Sequence, residues 1–123
     1  MRIEDVERLL SGRFYLKVPK HVFLAKEPVI GEVDGIVRVF GAAKRFGDAI
    51  FLAPGATEKT VYEEVLHTMG LREPGAKLLS AILAAVPPIL PFKRKVKYVK
   101  CTGGCGFHHE GLPVEHYILV EGD

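Results

Sequence analysis

The chain has 123 residues, 48% of them hydrophobic and 26% charged, with a net charge of +2. That composition suits one compact domain, 1–123, with a real core, and a charge so close to zero selects no class of partner by itself. No run of about 18 apolar residues and no signal peptide is read, which points to a soluble, cytoplasmic protein with no membrane partner.

Residues 3–10 place Ile3, Val6, Leu9 and Leu10 at helical spacing, and Ser11-Gly12 ends that helix. Residues 14–18 read as a strand before Pro19, with 22–25 as its short continuation. Glu27-Pro28, Gly31 and Gly35 break the next stretch into turns. Two apolar runs, 36–40 and 48–53, are joined by a Gly-bounded segment and predict a hairpin.

Residues 57–69 predict the central helix. Val61, Tyr62, Val65, Leu66 and Met69 share one side, and Thr60, Glu63, Glu64, His67 and Thr68 the other. Thr57 is the expected N-cap, and Gly70 followed by Pro74 supplies the stop. Pro74 then opens a second helix bearing Leu78, Leu79, Ile82, Leu83 and Val86. Its other positions are largely Ala, so it is expected to be buried. Residues 96–100 and 114–120 predict a closing pair of strands around a Cys-Gly-His loop. The order of elements predicts α+β, a small mixed sheet with a C-terminal β-hairpin carrying that loop.

The chain contains no Asn and no Gln. Depletion of thermolabile amides beside abundant Lys, Arg and Glu is the composition expected of a hyperthermophile protein. It bears on the two cysteines, because intracellular disulfides are common in such proteins.

Three segments carry chemistry. In the central helix Glu63 and Glu64 lie four and three residues before His67, so both carboxylates can flank the imidazole. Residues 63–73, EEVLHTMGLRE, resemble the zincin metallopeptidases, whose H-E-x-x-H motif extends in the metzincin branch to H-E-x-x-H-x-x-G-x-x-H. Glu64, His67 and Gly70 match that pattern; Glu63 stands for the first His and Glu73 for the distal ligand. The run 48–52 is similar to the strand that lies beside the active helix in that family. Small zincins, the archaemetzincins among them, also carry cysteines after the motif. The resemblance implies a zinc site of Glu63, His67 and Glu73, with Glu64 as general base on metal-bound water. It thus implies a metal-dependent hydrolase acting on a peptide or protein, or a catalytically degenerate relative. Extra carboxylate ligands weaken water activation and favour harder metals.

The second segment is Cys101 to His109, in which Cys101 and Cys105 have a spacing seen in zinc ribbons. Three readings stand side by side: zinc held by Cys101, Cys105 and His109 or a neighbouring His, a short-loop disulfide, and thiols in a Gly-rich turn. His67 and His109 would meet at one site if the loop folds over the central helix. His116 falls on the apolar side of its strand, where a packed histidine is expected.

The third segment is basic. Lys93, Arg94, Lys95 and Lys97, interleaved with Phe92 and Tyr98, form a candidate single-stranded nucleic-acid surface. In a strand, Lys95 and Lys97 share one face and Val96 and Tyr98 the other, which also describes an ordinary solvent-facing edge. Three functions follow: a zincin-like metal-binding domain, a nucleic-acid-binding module, and a structural or interaction protein.

Overall fold

The computed structural model describes residues 1–13, 15–27, 48–87, 94–102 and 113–120. Among them the chain is α+β, with three helices and a mixed four-stranded sheet. The elements are α1 (Ile3–Ser11), β1 (His21–Ala25), β2 (Ala49–Leu52), α2 (Glu58–Thr68), α3 (Gly75–Ala85), β3 (Tyr98–Lys100) and β4 (Val114–Leu119). The strand order is β2-β1-β4-β3.

β1 runs parallel to β2, pairing Phe23 with Phe51, and antiparallel to β4, pairing Phe23 with His116. β3 and β4 form the antiparallel C-terminal pair. The predicted hairpin partner of β2, residues 36–40, lies outside the described residues, and β2 pairs in parallel with β1. Alternation along the strands sends Val22, Leu24, Ile50, Leu52 and Tyr98 into one core with Val6, Leu10, Val61, Val65 and Leu66 of the helices. Phe23, Ala49 and Phe51, out of phase with that set, are buried as well. A sheet buried on both faces explains why 22–24 and 49–52 read as unbroken apolar runs.

Of the predicted strand at 14–18, residue 14 lies outside the described residues and 15–18 are not strand. Leu16 N–H closes a turn on the Arg13 carbonyl at 3.0 Å. The Leu16 carbonyl, which a ladder would have used, accepts from the Arg94 guanidinium together with the carbonyls of Leu10 and Arg13. That fork ties the end of α1 to the segment entering β3.

α2 starts as its sequence predicts. Thr57 Oγ1 accepts from Thr60 N–H at 3.4 Å, and Thr57 N–H donates to Thr60 Oγ1 at 3.2 Å. Thr57→Ala should therefore cost about 1 kcal/mol in urea unfolding; a loss below about 0.3 kcal/mol would mean this cap contributes nothing.

α3 corrects an expectation. It packs on α2, but only Ala76, Ser80 and Leu83 are buried, while Leu78, Leu79, Ile82 and Val86 are exposed. A helix on the outside of a two-layer fold buries one stripe, whatever its composition. Its C-terminus is held by buried Arg13, whose Nη2 donates to the carbonyls of Leu83 and Val86. The same guanidinium lies 5.3 Å from the centre of the Tyr62 ring. Among the described residues no helix is long and apolar enough to cross a membrane.

Candidate functional site

The end of α2 makes the best-organised polar cluster. Gly70 adopts φ +96°, the left-handed conformation that a side chain disfavours. Gly70 N–H then bonds the His67 carbonyl at 3.0 Å, and Leu71 N–H bonds the Leu66 carbonyl at 3.1 Å. This is the Schellman closure, with Leu71 folded back against the core. The reversal carries Leu71 and Glu73 round to the imidazole four and six residues behind them.

His67 Nδ1 sits 2.9 Å from the Leu71 carbonyl oxygen, and Nε2 sits 3.2 Å from Glu73 Oε1. Glu73 Oε2 is 3.4 Å from Lys77 Nζ. Burial opposes the charged form of His67. The bonds to Leu71 and Glu73 and the charges of Glu64 and Glu73 outweigh it, so its pKa rises. Glu73 is held below its ordinary value: slight desolvation opposes this, but contacts with His67 and Lys77 prevail. The pair is open to solvent, so screening leaves it little weight in stability.

The tautomer matters more than the energy. A carbonyl oxygen only accepts, so Nδ1 must carry the hydrogen of that bond. A neutral ring then points the lone pair of Nε2 at a carboxylate, which also only accepts. Both contacts are satisfied only when Nε2 binds a proton or another cation. An N–H donated to a backbone carbonyl is also how metal-binding histidines are oriented.

The structure thus brings Glu73 into contact with His67, and Glu64 close enough for its charge to act on the ring. Glu64 also lines a hollow of about 310 Å³ with Phe51, Pro54 and Thr60, at the exit of β2 into α2. Glu63 is half-buried, and its buried Oε2 has no hydrogen-bond partner among the described residues. Among the described residues no three His, Cys, Asp or Glu side chains gather closely enough to hold a metal ion. The full ligand set Glu63, His67 and Glu73 implied by the resemblance is therefore not assembled as a trio.

Cys101 is half-buried beyond β3, and its N–H donates to the His116 carbonyl at 2.8 Å. Cys105, His108 and His109 lie outside the described residues, as does Lys93. Arg94 is turned inward onto the three carbonyls described above, which corrects its expected place on a nucleic-acid surface. Lys95 and Lys97 are exposed, with Val96 and Tyr98 buried between and after them.

One pair has no local sequence signal. His21 Nδ1 and His116 Nε2 are 2.9 Å apart, although 95 residues separate them. His116 is 1% exposed and stacks on Phe23, with ring centres 4.2 Å apart and planes inclined by 4°. The alternation of His21 with Phe23, and of His116 with Ile118, was the only hint that both face the same side of the sheet.

Compared with protein-family models, characterised proteins and solved structures, the chain matches none. The zincin resemblance therefore rests on the sequence of residues 48–73 and the two cysteines alone.

Proposed function

We propose that the chain is a small metal-binding domain, zincin-like in its helix but catalytically degenerate, in which His67 Nε2 and the Glu73 carboxylate take one divalent cation. The observation that carries this reading is the imidazole set between two acceptors. The 3.2 Å between Nε2 and Oε1 suits two donors of one ion with bonds of about 2.0–2.2 Å each. Glu64 adds charge that favours a cation. Zinc and its neighbours in the first transition row are the ions that an imidazole with a carboxylate prefers. Two gathered donors are one short of a catalytic zinc centre, so the reading is one of binding, with the remaining positions left to water.

Zinc titrated calorimetrically into chelator-treated protein should bind one equivalent at pH 7.5. Affinity should fall as pH drops through the raised pKa of His67, where protons compete with the metal for Nε2. His67→Ala should abolish that binding and Glu73→Gln weaken it about tenfold or more. The double variant Cys101→Ser/Cys105→Ser should bind as the parent does. Loss of zinc in the cysteine variant with retention in His67→Ala would move the site to the cysteines and end this reading.

A further inference from the structure

The helix-facing side of β4 is not apolar throughout. In the register of the sheet Glu115 stands opposite Leu24, and Tyr117 opposite Val22 and Lys100. Residues directly opposite share a face, so Glu115, Tyr117 and Lys100 lie on the side that carries the core residues Val22 and Leu24. A carboxylate at such a position breaks the strand pattern, and functional sites are where a fold tolerates that. The break has a spatial counterpart. Beside Glu115, where α1 begins, the helix layer leaves an open hollow of about 420 Å³. Its floor is apolar, made by Leu24 and Ile3, which are 6% and 8% exposed. Arg2 and Glu4 line it from the α1 side, and Glu115 and Tyr117 from the sheet.

Glu115 is fixed from two sides. Tyr117 Oη donates to its Oε1 at 3.2 Å, and Lys100 and Lys26 reach its Oε2 at 3.2 and 3.6 Å. Burial opposes ionisation, but the bonds from Lys100 and Tyr117 and the charges of Lys100 and Lys26 prevail, so its pKa lies below the ordinary value. A carboxylate oxygen accepts two bonds, so Oε1 keeps an acceptor site beside the Tyr117 hydroxyl. Across the hollow, the Arg2 side chain is 79% exposed and meets Glu4 at 3.3 Å. Water screens that pair, and the guanidinium is able to turn to a ligand.

We propose that this hollow binds a small aliphatic zwitterion, an amino acid or dipeptide, with its ammonium on Glu115 Oε1, its carboxylate on Arg2 and its side chain over Leu24 and Ile3. A fixed carboxylate on the sheet wall, a guanidinium on the helix wall and an apolar floor are the three features that such a ligand matches. The volume is in the range of small-molecule sites. A purely anionic ligand would face Glu4 and Glu115, and a bare cation would face Arg2 and gain nothing from the floor. The site shares no residue with the His67 cluster and does not rest on the cation reading.

L-Leucine and L-leucyl-L-leucine, each titrated into isotope-labelled full chain, should shift the amide resonances of Ile3, Leu24 and Tyr117 saturably. The tighter of the two should have a Kd of roughly 1 mM. Leucinamide, which lacks the carboxylate, and N-acetyl-leucine, which lacks the ammonium, should each bind about tenfold more weakly or worse. Glu115→Gln should weaken binding about tenfold at unchanged far-ultraviolet circular dichroism, and Arg2→Ala, at a side chain too exposed to matter to folding, about fivefold. No saturable shift with either ligand up to about 20 mM would overturn the proposal. So would N-acetyl-leucine binding as tightly as leucine, or binding indifferent to both Glu115→Gln and Arg2→Ala.

Discussion

Arg13→Ala should be among the most damaging single substitutions in this chain, lowering stability by about 3 kcal/mol in urea unfolding. Arg13 is 5% exposed, and its guanidinium donates to the Leu83 and Val86 carbonyls at the end of α3. It also reaches the hydroxyls of Tyr62, at 3.4 Å, and Tyr15, at 3.2 Å. Truncation strands the helix-end carbonyls, empties the space beneath the Tyr62 ring, and loosens that end of α3. Arg13→Lys should recover little, because one ammonium cannot fork to two carbonyls while stacking on an aromatic face. Arg8 is the control. Its contacts, 3.7 Å to Asp5 and 3.8 Å to Glu58, are solvent-exposed, so Arg8→Ala should cost no more than about 0.5 kcal/mol. Equal losses in the two variants would mean that the buried fork contributes nothing special.

His116→Ala should cost a similar amount, about 3 kcal/mol, through the cavity left beside Phe23 and the loss of a partner for His21. The pair also gives stability a pH dependence. Burial and then the charge of Lys20 hold the pKa of His21 below its ordinary value, against a smaller opposing pull from Asp48. The unfolded chain therefore takes up this proton more readily than the folded one. Its contribution is complete above about pH 6.5 and is lost as pH falls through the folded value. His67 works the other way in metal-free protein. Its raised pKa stabilises below about pH 6.5, and that contribution is lost as pH rises through the folded value. Urea midpoints at about pH 5 and about pH 8 should separate them: His21→Leu should flatten the acid side, and His67→Ala the alkaline side. If His21→Leu leaves the acid limb untouched, the pair is not what makes the fold acid-sensitive.

How much of this was legible differs from one element to the next. α2 could be read almost residue by residue, because Thr57, the spacing of Val61, Tyr62, Val65 and Leu66, and Gly70 act within one or two helical turns. The return of Glu73 to His67 was legible for the same reason: a left-handed glycine makes a local reversal of known shape. Whether Glu63 or Glu64 would act on the ring was not legible, since both lie within one helical turn of His67 and neighbouring packing chooses between them. Residues 15–18 misled because their pattern resembles a strand, while the Leu16 carbonyl is taken by Arg94, some 80 residues later. α3 misled in the opposite direction: composition tells how apolar a helix is, but not how much of it the fold can cover.

The sequence by itself determined the α+β class, the start and stop of α2, the faces of the strands and the polar cluster around His67. All of these follow from contacts within a few residues, where backbone geometry leaves little choice. Only the tertiary structure decided that β1 and β2 run parallel, that Arg13 and Arg94 turn inward, that His21 meets His116, and that α3 buries only Ala76, Ser80 and Leu83. Those outcomes depend on which distant carbonyls, rings and strand edges the chain brings together. A guanidinium or an imidazole looks the same in sequence whether water or a buried acceptor is waiting for it.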